Sequence, residues 1–349
     1  MNRYQFYISF DVKETAYTAG TKAIQDCNAI LKGLDYRDYN IHNAVLTNKG
    51  YLYSLFKNVF KLLLFVKPSS IVAIQYPLLS GNSYFKHIIK ILRLKKVKFF
   101  CIIHDVEGIR YHKDNVKLVK AEVQNLNFYD GIIVHNTSMQ QWLSEKGVIK
   151  PMLALQIFDY LSDQELIPSE HLFNQKSITI VFAGNLTKST FIYSLQAVNK
   201  QFNLYGPNFL TEKGCTNQNI SWKGAYSPND IISKLDGDFG LIWDGEFIDK
   251  LDDVYGSYLM YNNPHKLSLY IAAGLPVIAP KNSAIGQFIQ KHQLGILIDS
   301  LVELNNIQVT GMQYQMFKRN ISLISPQLRS GTYLKSAIAA IEEIITHAS

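Results

Sequence analysis

The chain predicts an α/β protein of two doubly wound domains in tandem, and three observations carry that prediction. Apolar runs of β type alternate with runs of helical period along most of the sequence. The alternation restarts after a polar stretch, Ser162–Gln175, that carries Pro168. The length of 349 residues exceeds one average core and suits two of about 150 residues each, with 47% hydrophobic residues to fill them.

In the first series, Tyr4–Phe10, Ile41–Val45, Ser70–Gln75, Lys98–Ile103 and Gly131–His135 read as strands, rich in Ile, Val and Phe and bounded by polar residues. Helical patterns lie between them near Gly20–Gly33, Tyr51–Val66, Tyr84–Leu92, Val116–Asn127 and Ser138–Lys146, and Met152–Ile157 is a sixth short apolar run. The second series has strands at Ile178–Phe182, Phe202–Tyr205, Gly240–Trp243, Pro276–Ile278 and Gly295–Ile298. Its helices fall near Lys188–Lys200, Pro228–Leu235, Lys266–Ala273, Ile285–Lys291 and Gly311–Ile324, and an amphipathic helix over Gly331–His347 closes the chain. The expected domains are therefore 1–160 and 161–330, with 331–349 as the closing helix. Repeated strand–helix units imply parallel sheets, and two such domains present their strand C-termini across a cleft where ligands bind.

The net charge of +7 is uneven: residues 1–150 hold 21 Lys/Arg against 11 Asp/Glu, a balance of +10 that leaves −3 for the rest. No acidic residue stands between Tyr39 and His104, where lysines are interleaved with Phe56, Phe60, Leu62–Phe65, Ile88, Ile89 and Leu92. Basic residues among large apolar ones at helical spacing suit an anionic membrane surface, ahead of nucleic acid, because they accompany aliphatic and Phe side chains rather than polar Gly-rich loops. A plain solvated face is the third account. Cys27, Cys101 and Cys215 form no disulfide framework and no metal spacing, and no apolar run reaches the roughly 18 residues of a membrane span. Without a signal-peptide pattern, a cytoplasmic protein peripheral to the membrane is expected.

The loop Asn262-Asn263-Pro264-His265-Lys266 leads into a short apolar helix closed by Gly274 and a strand opened by Pro276. A lysine at a helix N-terminus adds a cation where backbone N–H groups already favour anions, which suits a diphosphate; the alternative is a surface lysine beside an ordinary connection. Gly184-Asn185-Leu186-Thr187-Lys188 follows the first strand of the second series, with a glycine for close approach, Thr187 as a helix cap and another cation. Tyr205 ends the next strand, where an aromatic either stacks on a base or packs a turn, and Trp243-Asp244-Gly245-Glu246 ends another with carboxylates that suit sugar or ribose hydroxyls. In the first half, Ile103 runs into His104-Asp105, either of which can serve as a general base or as a cap. The loop Asp11–Gly20, with Thr15, Tyr17 and Thr18, follows the first strand and opens on the same cleft. Neither a dinucleotide GxGxxG fingerprint nor a phosphate-loop GxxxxGK[ST] occurs, and no His/Cys cluster has metal spacing, so no metal and no cofactor is expected.

Taken together, Phe239–Gly245, Tyr258, Asn262–Lys266 and Ala273–Val277, with Ile103-His104-Asp105, His135-Asn136, Ile157–Leu161 and Ala183–Leu186, are closely similar to bacterial β-1,6-galactofuranosyltransferases of O-antigen assembly. A more distant resemblance is to the glucosyltransferase that extends O-linked N-acetylglucosamine on serine-rich adhesins. The resemblance covers almost the whole chain and is looser across Tyr39–Leu94. It implies a GT-B fold, with the acceptor mainly on the first Rossmann-like domain, the nucleotide sugar mainly on the second, and a final helix returning to the first. By position it implies Lys266 as the diphosphate-binding lysine, Lys188 as a second basic group near the phosphates, Tyr205 near the base, and Thr18 with its neighbours in the acceptor loop. The donor set is then Gly184, Asn185, Lys188, Tyr205, Asp244, Asn263 and Lys266. One departure stands out: the E-x7-E signature of many retaining relatives would fall near Tyr261 and Leu269, and neither is a glutamate.

The function expected is transfer of a sugar, galactofuranose first, from a UDP-sugar to a lipid-linked glycan, with Asp105 then His104 as the base. The alternatives are a UDP-glucose transferase extending a protein-linked glycan, and a non-catalytic module that stabilises a partner. An anionic membrane surface and another copy of the chain are the further partners in view; nucleic acid is not.

Overall fold

The computed structural model of the chain describes residues 1–8, 19–41, 60–77, 82–111, 113–164, 173–214 and 217–347. Thr15, Tyr17 and Thr18, most of the expected strand Ile41–Val45, the first part of the expected helix Tyr51–Val66, the middle of the Ser162–Gln175 linker and Cys215 lie outside the described residues. The chain divides into two compact units, one of residues 1–14, 27–155 and 334–349, the other of 15–26 and 156–333.

The first unit holds a parallel sheet of β1 (Arg3–Ile8), β2 (Arg37–Ile41), β3 (Ile71–Tyr76), β4 (Lys98–Ile103), β5 (Gly131–Val134) and β6 (Met152–Ala154), in the order β2-β1-β3-β4-β5-β6. β3 and β4 are near-continuous apolar runs because helices cover both faces of a parallel sheet; every residue of β3 is buried. β2 lies at the edge, four residues ahead of the expected strand, and its Arg-Asp-Tyr-Asn sequence reflects that one-sided position. The helices Val116–Leu126 and Thr137–Glu145 start at Asn115 and Asn136, whose side chains accept the N–H groups of Leu118 and Met139. The closing helix Thr332–His347 belongs to this unit from Leu334 onward. It lands on Gly131, where a Cβ would stand 2.7 Å from Ile345 and 2.8 Å from Ile341. Arg3 fixes it with a bidentate pair to Glu342, both contacts 2.7 Å, and the Tyr36 hydroxyl donates to the same carboxylate.

The second unit repeats the plan with β7 (Thr179–Ala183), β8 (Gln201–Tyr205), β9 (Ile220–Trp222), β10 (Phe239–Leu241), β11 (Val277–Pro280) and β12 (Gly295–Ile298), all parallel, in the order β12-β11-β10-β7-β8-β9. Chain order reverses between β10 and β7, which makes their C-terminal ends the topological switch point. Two expected α-helices are shorter 3₁₀ segments, Thr190–Ala197 and Ile231–Ser233. Thr190-Phe191-Ile192-Tyr193 is a run of β-branched and aromatic residues that resists the α-helix, and Ile192 and Leu195 are buried at three-residue spacing. The helix expected to end at Ile324 continues to Arg329 with Pro326 inside it. No helix among the described residues is long and apolar enough to cross a membrane.

Candidate active site

The helix His265–Ala272 builds the main group of the second unit. Its N-cap position, Pro264, makes no side-chain cap, so the first N–H groups have no capping oxygen from it. Three anchors hold the helix start to the segment after β6: Asn263 donates to the Gln156 carbonyl at 3.0 Å, Ser268 donates to the Phe158 carbonyl at 2.7 Å, and the His265 ring lies against Tyr160 with centroids 5.2 Å apart. Lys22, from the helix Ala19–Gly33, sits over the same Tyr160 ring, 5.0 Å from its centroid, and pairs with Asp26 at 2.6 Å.

Two side chains one turn apart then reach the switch point. Tyr270 is fully buried; its hydroxyl accepts the Ala183 N–H at 2.9 Å and donates to the Leu241 carbonyl at 3.1 Å, joining β7 to β10 where their ladder ends. Gly240 is required beneath it, because a Cβ there would lie 2.2 Å from the ring. Lys266 donates to the Trp243 carbonyl at 3.1 Å and pairs with Asp244 Oδ1 at 2.5 Å, its ammonium 4.6 Å from the Phe182 ring centroid. Two of its three N–H groups are thus used. Its stem crosses Gly184, where a Cβ would come within 3.0 Å of Lys266 Cε.

The glycines around this lysine are there for close approach. Gly206 has φ +137°, and a Cβ on it would strike the Gly184 carbonyl oxygen at 1.8 Å. Gly245, φ +103°, leaves room for Asp253, whose carboxylate accepts the N–H groups of Glu246, Tyr255 and Gly256. Lys188 is exposed and lies 5.8 Å from the Tyr255 ring centroid. Both cations therefore meet the same loop, Lys266 at its start and Lys188 near Tyr255. Thr187 caps no helix, since the next segment starts at Thr190 with Ser189 at its N-cap position making no side-chain cap. Asn185 instead closes a turn, its Oδ1 accepting the Thr187 N–H at 3.1 Å and a bond from Asn208 at 3.3 Å.

Tyr205 is not among the gathered residues. It is 2% exposed in the core, its hydroxyl donates to the Lys234 carbonyl at 2.8 Å and accepts the Asp236 N–H, and burial pushes it up to about 12. Asp244 meets the lysine instead of standing open as a carboxylate. Thr15, Tyr17 and Thr18 lie outside the described residues.

In the first unit, His104 and Asp105 follow β4 and have different surroundings. His104 Nε2 donates to Gln75 Oε1 at 2.6 Å, and Gln75 in turn donates to Asn28 at 2.7 Å. Desolvation, with the neighbouring His135, holds the His104 imidazole down to about 4. His135 donates from Nε2 to the Ile103 carbonyl at 3.1 Å and is also pushed down to about 4 by its burial. Asp105 is partly exposed and pairs with Arg110 at 3.0 Å. The turn carrying Arg110 is capped from outside: Glu122 accepts the N–H groups of Gly108 at 2.5 Å and Glu107 at 3.2 Å, with the Tyr76 hydroxyl at 3.2 Å, and burial raises its carboxyl above the usual range. Among the described residues, no three of His, Cys, Asp and Glu are grouped as a metal site would need.

Sequence reasoning passed over Tyr270 and Glu122. Tyr270 had a signal, standing four residues after Lys266 on the same helix face. Glu122 had one as well, since Val119, Glu122, Val123 and Leu126 share the apolar stripe of their helix, an odd place for a carboxylate.

Residues 5–157 match the N-terminal domain, and residues 180–341 the C-terminal domain, of the glucosyltransferase 3-like family. The chain belongs to the glucosyltransferase 3-like family. It is 29% identical to the β-1,6-galactofuranosyltransferase WbbI of Escherichia coli K12, over 97% of this chain and 98% of that protein. It is 26% identical to glucosyltransferase 3 of Streptococcus gordonii, over 79% of this chain and 80% of the other. Among solved structures, a glycosyltransferase from Rickettsia africae superposes with a TM-score of 0.58 at 12% identity, each chain covered in full. This glucosyltransferase 3-like chain is a glycosyltransferase with the GT-B fold.

Proposed function

We propose that the enzyme moves a sugar, galactofuranose first among the candidates, from a UDP-sugar to a hydroxyl of a lipid-linked glycan in surface polysaccharide synthesis, without a metal. The observation that carries this is the position of Lys266: a cation on a helix start, over a glycine, at the strand ends where chain order reverses. Breaking the glycosyl–phosphate bond sends its electron pair to the leaving diphosphate and leaves positive charge on the sugar ring. Lys266 and the positive end of the helix it starts stabilise the departing anion, and Asp244 keeps the ammonium aimed before the donor arrives. Lys188, from the segment after β7, adds a second cation facing Tyr255 of the same loop.

The acceptor oxygen forms its bond to the anomeric carbon while its proton goes to a base of the first unit. Asp105 holds that role, with Arg110 fixing the carboxylate, and His104 is the second choice. Its Nε2 proton is committed to Gln75, so Nδ1 carries the lone pair. On this reading the enzyme works in the cytoplasm at the inner membrane face, where a lipid-linked acceptor is within reach.

Likeness to WbbI along the full length favours galactofuranose; likeness to the streptococcal glucosyltransferase 3 proteins favours the second reading, glucose added to a protein-linked glycan. A panel of UDP-sugars, scored for UDP release with and without a membrane lipid extract, separates them. The first reading predicts turnover of UDP-galactofuranose that depends on the extract. Turnover of UDP-glucose on a glycosylated peptide would favour the second, and absence of UDP binding by calorimetry would remove both.

A further inference from the structure

The first unit carries an apolar protrusion ringed by lysines that the transfer reaction does not use. Leu94 is 85% exposed, Leu64 74% and Phe60 64%; Met312, Ile149 and Val116 are as exposed elsewhere, so it is the grouping of these three that marks the surface. Phe60 and Leu64 stand four residues apart on the helical stretch 60–65 and share its outer face, while Leu62 and Val66 point into the core. Leu94 lies in the turn after the helix Asn82–Arg93. That turn is bound to the end of the 60–65 stretch: Lys95 Nζ donates to the Leu63 carbonyl at 2.7 Å and to the Val66 carbonyl, and the Ser69 N–H bonds the Lys95 carbonyl. The protruding side chains therefore stand on one connected surface rather than at scattered points.

Charge surrounds them with one sign. Lys61, Lys67 and Lys96 are exposed in the same segments. Not one aspartate or glutamate occurs between Asp38 and Asp105, and Asp130, on a neighbouring segment, is already paired with Arg93. Nucleic acid would reward the cations but leave Leu64 and Leu94 in water. A lipid interface rewards both, taking apolar side chains below anionic phosphates.

We propose that this face docks on an anionic lipid bilayer, with Phe60, Leu64 and Leu94 entering the interface and Lys61, Lys67 and Lys96 meeting the headgroup phosphates. The proposal names the surface behind the lipid-borne acceptor of the preceding section and rests on that reading. Its test measures vesicle binding apart from turnover, so failure of one is not mistaken for failure of the other.

The full chain is sedimented with phosphatidylcholine vesicles, with or without about a third phosphatidylglycerol, at low and high salt. Binding is expected on the anionic vesicles alone and falls as salt rises. The double variant Leu64→Ser/Leu94→Ser is expected to lower the partition about tenfold or more. The triple variant Lys61→Gln/Lys67→Gln/Lys96→Gln is expected to lower it about a hundredfold at low salt, about fivefold for each lysine. UDP titration of each variant should match the parent, which also shows that the variants are folded. Equal binding to neutral vesicles, or parental binding by both variants, overturns the proposal. So does retention on RNA that only the lysine variant loses, or a dimer that the leucine variant breaks without any vesicle binding.

Discussion

The two units finish their strands in opposite electrostatic ways. In the second, an ion pair stands at the sheet end: Lys266 meets the Asp244 carboxylate and the Trp243 carbonyl. In the first, charge is suppressed: desolvation holds both His104 and His135 down to about 4, so the imidazoles at the ends of β4 and β5 are neutral at pH 7. One sheet plan thus ends on a paired lysine in one unit and on neutral imidazoles in the other, and the difference lies in the loops rather than the strands.

That contrast can be broken at either end. The largest effect is expected for Asp105→Asn, which should lower turnover about 10²–10⁴-fold while UDP affinity by calorimetry stays at the parental value. Unimpaired turnover would move the base to His104 or elsewhere. Lys266→Ala should cost about 2.7–4 kcal/mol of transition-state stabilisation and also weaken UDP binding, since the lysine meets the same diphosphate before and after bond breaking. A variant with ordinary kcat and donor affinity would remove the lysine from the mechanism.

A smaller effect, about 1–3 kcal/mol of folding stability, is expected for Tyr270→Phe, because the Ala183 N–H and Leu241 carbonyl lose their shared partner in a buried place. Thermal unfolding reads it directly, and a Tm equal to the parent's would show that the two strand ends need no bridge. The mildest test is pH. The unfolded chain takes up protons on His104 and His135 near 6.5, whereas the folded chain refuses them until about 4. Between those values the unfolded state binds more protons, so their contribution is present above about 6.5 and lost as pH falls toward about 4. Urea titrations across that window should show a falling midpoint, and a His135→Gln variant should show a shallower fall.

How far the sequence spoke depends on where a residue sits. β4 matches its expected span, and β3, β5 and β7 lie within a residue of theirs at each end, because buried parallel strands must be apolar runs; β12, an edge strand with one buried residue, matches through its apolar Gly-Ile-Leu-Ile sequence alone. β9, Ile220-Ser221-Trp222, gave no such signal: three residues on an edge have too few buried positions to make a pattern. The 3₁₀ segment Thr190–Ala197 shares its apolar content with an α-helix and differs in hydrogen-bond spacing, which composition does not encode. Lys266 and Gly184 stood out in the sequence, one as a cation in the first turn of a helix and the other as a glycine after a strand. Their approach was not legible, since it joins residues 82 apart in sequence, and neither was the backbone contact of Gly206 with Gly184. Tyr205 misled for the reverse reason: an aromatic at a strand end looks alike whether its ring faces a ligand or the interior.

The closing helix has a consequence for synthesis. A ribosome delivers β1 through β6 long before Ile341, Ile345 and Glu342 emerge, so Gly131 and Arg3 wait for their partners until the other half of the polypeptide has been made. Nascent chains halted anywhere before Leu334 should therefore leave the first sheet with a bare flank, a natural target for holdase chaperones.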